Sequence, residues 1–149
     1  MSKLIRSGFL PSGEQTSSLQ GKSKRLILLF TADADVEQCL EEALHGSSAV
    51  VLIARNLRDA LEIILAKGRA LDCAIVDIDQ EFGGITLLGA LGAYRDRVSV
   101  IVIAANAKYA ELVTAGREAM TFLEKPVPAE VLVAALTHRH EHRPRPVAA

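Results

Sequence analysis

The chain reads as an α/β fold, a doubly wound parallel sheet assembled from five strand-helix repeats. Three observations lead there. From Arg25 onward, apolar runs of strand length alternate with segments of helical period. The runs are nearly unbroken rather than alternating, as in strands covered on both faces by right-handed crossover helices. The length, 149 residues at 50% hydrophobic and 23% charged, suits one domain that buries its core without staples.

The first repeat joins Leu26 to Phe30 with a helix over Ala34 to Leu44. In that helix Val36, Cys39, Leu40 and Ala43 recur at helical spacing, while Glu37, Gln38, Glu41 and Glu42 point away. The second joins Ala49 to Ala54 with Asn56 to Lys67, where Asn56 caps the start and Gly68 ends the helix. Its expected inward stripe is Leu57, Leu61, Ile64 and Leu65. Leu71 to Val76 precede a helix over Ile85 to Tyr94, entered through a tight turn at Gly83-Gly84. Val98 to Ala104 precede Lys108 to Ala115, and Met120 to Leu123 precede Pro128 to His138, with Pro128 suited to a first helical turn.

Pro11 to Lys24 is rich in Ser, Gly, Gln and Lys without periodicity, so residues 1–24 are expected to form a flexible arm. The folded domain is expected over 25–138, and the His- and Arg-rich stretch 139–149 as a flexible tail. A formal net charge of -1 lacks the basic excess that drives phosphate-backbone binding, which argues against a nucleic-acid partner. Cys39 and Cys73 lie in apolar stretches without metal or disulfide spacing and read as buried reduced thiols. Met1 to Arg6 contains no signal-like apolar core, and no run approaches about 18 apolar residues. The expectation is a soluble, cytoplasmic protein with no membrane partner.

The chemistry concentrates at two strand ends. Asp77 closes Cys73-Ala74-Ile75-Val76, and Lys125-Pro126 follows Phe122-Leu123. In a doubly wound sheet the carboxyl ends of the strands share one edge, where ligands bind at the switch in strand order. A carboxylate and an ammonium can therefore face each other there. Thr31-Ala32, by contrast, ends the first strand without an acid, and no glycine-rich phosphate cradle is present.

From about Arg25 to His138 the chain resembles the receiver domain of bacterial two-component response regulators. The resemblance rests on Leu71-Asp72-Cys73-Ala74-Ile75-Val76-Asp77, similar to the strand that ends in the phosphoacceptor, and on Phe122-Leu123-Glu124-Lys125-Pro126, similar to the last-strand lysine motif. It implies a flavodoxin-like (βα)5 sheet ordered 2-1-3-4-5, Asp77 as candidate phosphoacceptor, Lys125 as its cationic partner, Pro126 in cis and Phe122 at the aromatic switch position. Three departures stand out. Thr31 and Ala32 occupy the positions of the two acids that hold magnesium, Ala104 replaces the usual Thr or Ser, and the loop Ile78 to Gly84 is one residue short and lacks a proline.

A hydroxyl and a methyl in place of two magnesium ligands leave Asp77 as the certain carboxylate, so Mg2+ affinity is expected to fall and no cofactor or metal is expected. Asp33 and Asp35 are read as helix-capping residues, with substitute ligation the alternative. Asp77 and Lys125 alone sum to zero charge, which predicts an ion pair, direct or through water. Ala104 cannot bond a phosphoryl group, so Phe122 is expected to hold one position. These features describe a stand-alone, non-enzymatic phosphorelay module, impaired in phosphorylation and acting by protein-protein contact with a histidine kinase or output protein. The face of the fourth helix, fifth strand and fifth helix is its expected dimer surface. The alternative is a working receiver phosphorylated on Asp77 by a histidine kinase; a third reading is a cleft that binds a small anion or nucleotide.

Overall fold

The computed structural model describes residues 3–6, 25–79, 83–94, 96–106, 108, 110 and 120–141. Six parallel strands form one sheet: β1 (Lys3–Arg6), β2 (Leu26–Phe30), β3 (Val50–Ala54), β4 (Cys73–Asp77), β5 (Ser99–Ala104) and β6 (Met120–Glu124). Their order is β1-β3-β2-β4-β5-β6. Counted from β2, the five expected strands stand as 2-1-3-4-5. The order reverses between β2 and β4, since β2 leads outward to β3 and the chain then returns to β4 on the other side.

The unbroken apolar runs have a direct cause. Along β2, Ile27 and Leu29 pack with the helix α1 (Ala34–Ala43) and the C-terminal helix (Ala129–Glu141), whereas Leu28 and Phe30 pack with α2 (Leu57–Lys67) and α3 (Gly84–Leu91). Both faces of the central strands are therefore covered, so apolar residues fill both parities and their buried polar residues, Asp77 and Ser99, sit at strand ends. All five residues of β4 and all six of β5 are buried. Each fully buried aliphatic side chain of this kind contributes about 1.5–3 kcal/mol relative to exposure.

The starts of α1 and α2 follow side chains that satisfy otherwise unpaired amides. The Asn56 carboxamide oxygen accepts from Asp59 N–H at 2.8 Å, and the Asp33 carboxylate accepts from Asp35 N–H at 2.9 Å. Gly68 lets α2 tighten into a short 3-10 turn, Gly68–Ala70, and the stretch expected as helix to Tyr94 likewise ends as the 3-10 turn Gly92–Tyr94. The Cys39 thiol donates to Val127 C=O at 2.9 Å, and burial pushes its pKa up. Neither cysteine forms a disulfide.

Two expectations change. Leu65 does not face the core but is 83% exposed, while Ala60, Ile63 and Ile64 are buried. At about 100° per residue, Leu65 lies a quarter-turn beyond Ile64, so the inner stripe runs through Ala60 and Ile64 with Leu57 and Leu61 at its margin. Residues 1–24 are also not wholly an arm, because Lys3–Arg6 adds a parallel strand beside β3 in the register Leu4 to Val51 and Ile5 to Leu52. The outer edge of β3 offers unpaired backbone groups, and Leu4-Ile5 is the segment of the arm with strand character. Residues 7–24 and 142–149 lie outside the described residues, as does most of the expected fourth helix.

Gly84 starts α3 at a point where a Cβ would come within 2.7 Å of the Ile78 Cα, a backbone atom that cannot move aside cheaply. Gly89 in the same helix has open space around it. Gly84→Ala should destabilise by about 1–3 kcal/mol, and Gly89→Ala should stabilise by about 0.5–1 kcal/mol. Urea unfolding of both variants checks the opposite signs.

Candidate functional site

The switch in strand order places the end of β4 between those of β2 and β5, so Asp77 comes to lie beside Thr31. Asp77 is buried, at 2% exposure, and among the described residues it is met by three donors. The Thr31 hydroxyl donates to its Oδ2 at 2.7 Å, the Lys125 ammonium to the same Oδ2 at 2.9 Å, and Asp79 N–H to Oδ1 at 3.0 Å. Charge-assisted bonds of this length are the stronger kind. The direct Asp77–Lys125 pair is thus present.

Lys125 reaches this position from two strands away. Its own N–H donates to Ala104 C=O at 2.8 Å, which fixes the chain leaving β6 against the end of β5. The Lys125-Pro126 peptide is cis. Ala104 itself is buried at the end of β5, the strand that lies between β4 and β6, and offers only a methyl group there. Phe122 is half-buried, lies opposite Val102 in β5, and packs against the α2–α3 side of the core.

The lysine does not serve one acid alone. Its Nζ lies 3.1 Å from Asp79 Oδ2 and 3.4 Å from Asp33 Oδ2, in addition to Asp77. Asp77 is therefore not a solitary acid neutralised by one amine: three carboxylates share one ammonium, and the pocket keeps an anionic excess. Asp33 both caps α1 through Oδ1 and faces Lys125 through Oδ2, while Asp79 Oδ2 also accepts from Ala105 N–H at 2.8 Å. Spacing alone does not give these contacts, which depend on how the two loops fold back. Asp33 and Asp79 each stand two residues beyond a buried residue at the end of a central strand, Thr31 just after β2 and Asp77 closing β4, on the two loops that flank the switch.

Titration follows from these contacts. The Asp35 N–H, helped by Lys125 and opposed by slight burial, holds Asp33 below the ordinary carboxylate range. Burial alone would lower the Lys125 pKa, but hydrogen bonds to Asp77 and Asp79 outweigh it and raise the ammonium above the ordinary lysine range. Thr31 is fully buried, and its oxygen accepts from Asp33 N–H at 3.0 Å while its proton goes to Asp77. Ala32 is exposed. Among the described residues, no group of three or more His, Cys, Asp or Glu side chains is arranged to hold a metal ion. Where the three aspartates converge, the ammonium already stands. Next to it, Asp33, Val36, Cys39, Ile103, Lys125 and Val127 line a pocket of about 310 Å³ between α1 and the loop after β6.

A sheet of this order with an aspartate at the end of its central strand and a lysine after its last one defines a receiver-type signalling domain. The chain belongs to the response regulator receiver domain family, whose model matches residues 27–137. Solved structures agree with that. A response regulator receiver protein from Sinorhizobium medicae WSM419 superposes at a TM-score of 0.69 with 21% identity, covering 81% of this chain and 98% of that one. The signal receiver domain of an HD domain-containing protein from Pseudomonas fluorescens Pf-5 gives 0.68 at 23%, covering 80% and 97%. A sensor protein from Polaromonas sp. JS666 gives 0.66 at 26%, covering 80% and 98%. No curated protein matches the chain. The domain is thus a receiver of two-component signalling, a class that interacts with histidine kinases and output domains, and no helix among the described residues is long and apolar enough to cross a membrane.

Two measurements check the electrostatics. Lys125→Met leaves the buried Asp77 without its cation and should lower stability by about 1–3 kcal/mol, read from urea midpoints at neutral pH. A carboxylate held below its unfolded value stabilises the fold above that value and loses the contribution as pH falls through the folded one. The urea midpoint of the parent should therefore drop in the acid limb, and Asp33→Asn, which keeps a capping oxygen but no charge, should flatten that drop.

Proposed function

We propose that this receiver domain acts in two-component signalling mainly as a protein-interaction module, with phosphoryl transfer to Asp77 impaired. The observation that carries the reading is the occupation of Asp77: the Thr31 hydroxyl and the Lys125 ammonium both sit on Oδ2, and Asp79 N–H holds Oδ1. Phosphoryl transfer to a carboxylate needs cations to offset the charge of the moving group. Lys125 is the cation at hand, and it is shared among three aspartates.

The donor set also fits magnesium poorly. Mg2+ requires near-octahedral oxygen coordination anchored by carboxylates. Thr31 donates its proton to Asp77, Ala32 offers only a methyl group, both carboxylate oxygens of Asp33 are met by Asp35 N–H and Lys125, and Asp79 Oδ2 is met by Ala105 N–H and Lys125. On the output side, Ala104 has no hydroxyl with which to favour one conformation over another, so Phe122 gains no new partner from a phosphoryl group.

Its partners are signalling proteins, a histidine kinase or an output protein, with a homodimer through the fourth helix, fifth strand and fifth helix as the surface to test. In the C-terminal helix Val131 and Val133 are both exposed, at 41% and 40%, on opposite sides of the buried Leu132. A second reading, a working receiver phosphorylated on Asp77 by a histidine kinase, draws on the anionic excess that Asp33 and Asp79 add around Lys125.

Incubation with a small phosphodonor and Mg2+, followed by intact mass, separates the two readings. The parent should gain no phosphate. Phosphate added to the parent and lost in Asp77→Asn overturns the proposal. In a Mg2+ titration the double variant Thr31→Asp, Ala32→Asp should bind the ion about tenfold or more tightly than the parent.

A further inference from the structure

β3 is flanked by two unlike neighbours. On one side it pairs with β2 along its whole length, and on the other with the four residues Lys3–Arg6. Val50 N–H donates to Arg25 C=O, and Ala54 C=O accepts from Thr31 N–H, so the backbone groups of Val50, Leu52 and Ala54 face β2. By the alternation of a strand, the N–H and C=O groups of Val51 and Ile53 face β1. Without β1 these groups would stand open beside side chains that are fully buried.

The two strands differ in what they would do as an edge. Val50–Ala54, VVLIA, is β-branched and apolar, with no charge, proline or glycine, the composition of a segment that templates pairing with another chain. Lys3–Arg6, KLIR, is shorter and carries a charge at each end, which are devices that discourage a further strand. An N-terminal segment that pairs in register therefore replaces a sticky edge with a blunt one.

We propose that the outer edge of β3 is a self-association surface, that Lys3–Arg6 is its removable cover, and that the occupant replacing the cover is the same edge of a second copy, antiparallel about a two-fold axis. Pairing centred on Leu52 sets Val51 opposite Ile53 of the second copy, so the outward backbone groups meet each other. It also sets Arg55 opposite Ala49, so no like charges collide. The interface is isologous, as a closed dimer requires. The cover belongs to the same chain, so its pairing with β3 is intramolecular and independent of protein concentration, whereas pairing with a second copy is not. The surface opens when the cover is displaced, independently of the chemistry at Asp77.

Proline scanning of the full chain tests this. By the same alternation, the N–H of Ile5 faces β3 and that of Leu4 faces away. Ile5→Pro should raise amide exchange at Val51 and Ile53 by about tenfold or more at low micromolar protein, leave Ile75 in β4 protected, and double the mass in sedimentation as concentration rises. Leu4→Pro should keep the parent's exchange and mass. Should Ile5→Pro fail to fold, Ile5→Glu, which removes the apolar side chain but not the donor, serves for the same pair of readouts. Unchanged exchange at Val51 and Ile53, or a mass that follows the parent at every concentration, overturns the proposal.

Discussion

The arrangement at the sheet's carboxyl edge depends on the ammonium of Lys125. It stands within 3.4 Å of three aspartates drawn from two loops and one strand end. Remove it, and a buried carboxylate at the switch point is left with only neutral donors, a situation that low dielectric makes expensive. Because Lys125 arrives from β6, its hold on Asp77 also ties the last strand to the centre of the sheet, across the intervening end of β5. The backbone bond from Lys125 to Ala104 and that from Ile78 to Ile103 C=O at 3.1 Å bind the same three strand ends from the main chain. Site and scaffold are here one network.

That network accommodates the positions at which the sequence departs from the receiver pattern. Thr31 is not a vacant substitution for an acid: it is a buried bridge whose proton goes to Asp77 and whose oxygen accepts from Asp33 N–H. A hydroxyl does both jobs without adding negative charge to a pocket that already holds three acids. Ala104 likewise fits a fully buried strand end, where a hydroxyl would need its own partner. The altered positions are internally consistent, as residues of a pocket stabilised in one arrangement would be.

Much of the fold was legible in the sequence because parallel strands buried on both faces leave continuous apolar runs, as in Cys73–Val76 and Val100–Ile103. Caps were legible for the same local reason, and Asn56 and Asp33 do what their positions imply. Periodicity was weaker where apolar residues outnumber inward positions: α2 carries more of them than one face holds, so Leu65 fell outside. β1 was not legible, since four residues followed by a long polar stretch give no period, and its pairing depends on a partner strand far along the chain. At the site, the Asp77–Lys125 pair could be read from two strand ends, whereas the shares of Asp33 and Asp79 could not. Their contacts arise from how the two loops fold back, a matter of tertiary geometry that residue spacing alone leaves open.

Asp33 carries a consequence of its own. One oxygen of its carboxylate begins α1 and the other faces Lys125. Among common residues, serine, threonine or asparagine could keep the helix start but would surrender the charge. Glutamate would keep the charge but is a poor fit for the tight loop that capping demands. Two unrelated duties on one short side chain thus narrow the permissible alphabet at this position to a single letter, and they make the onset of the first helix and the charge state of the cleft heritable only together.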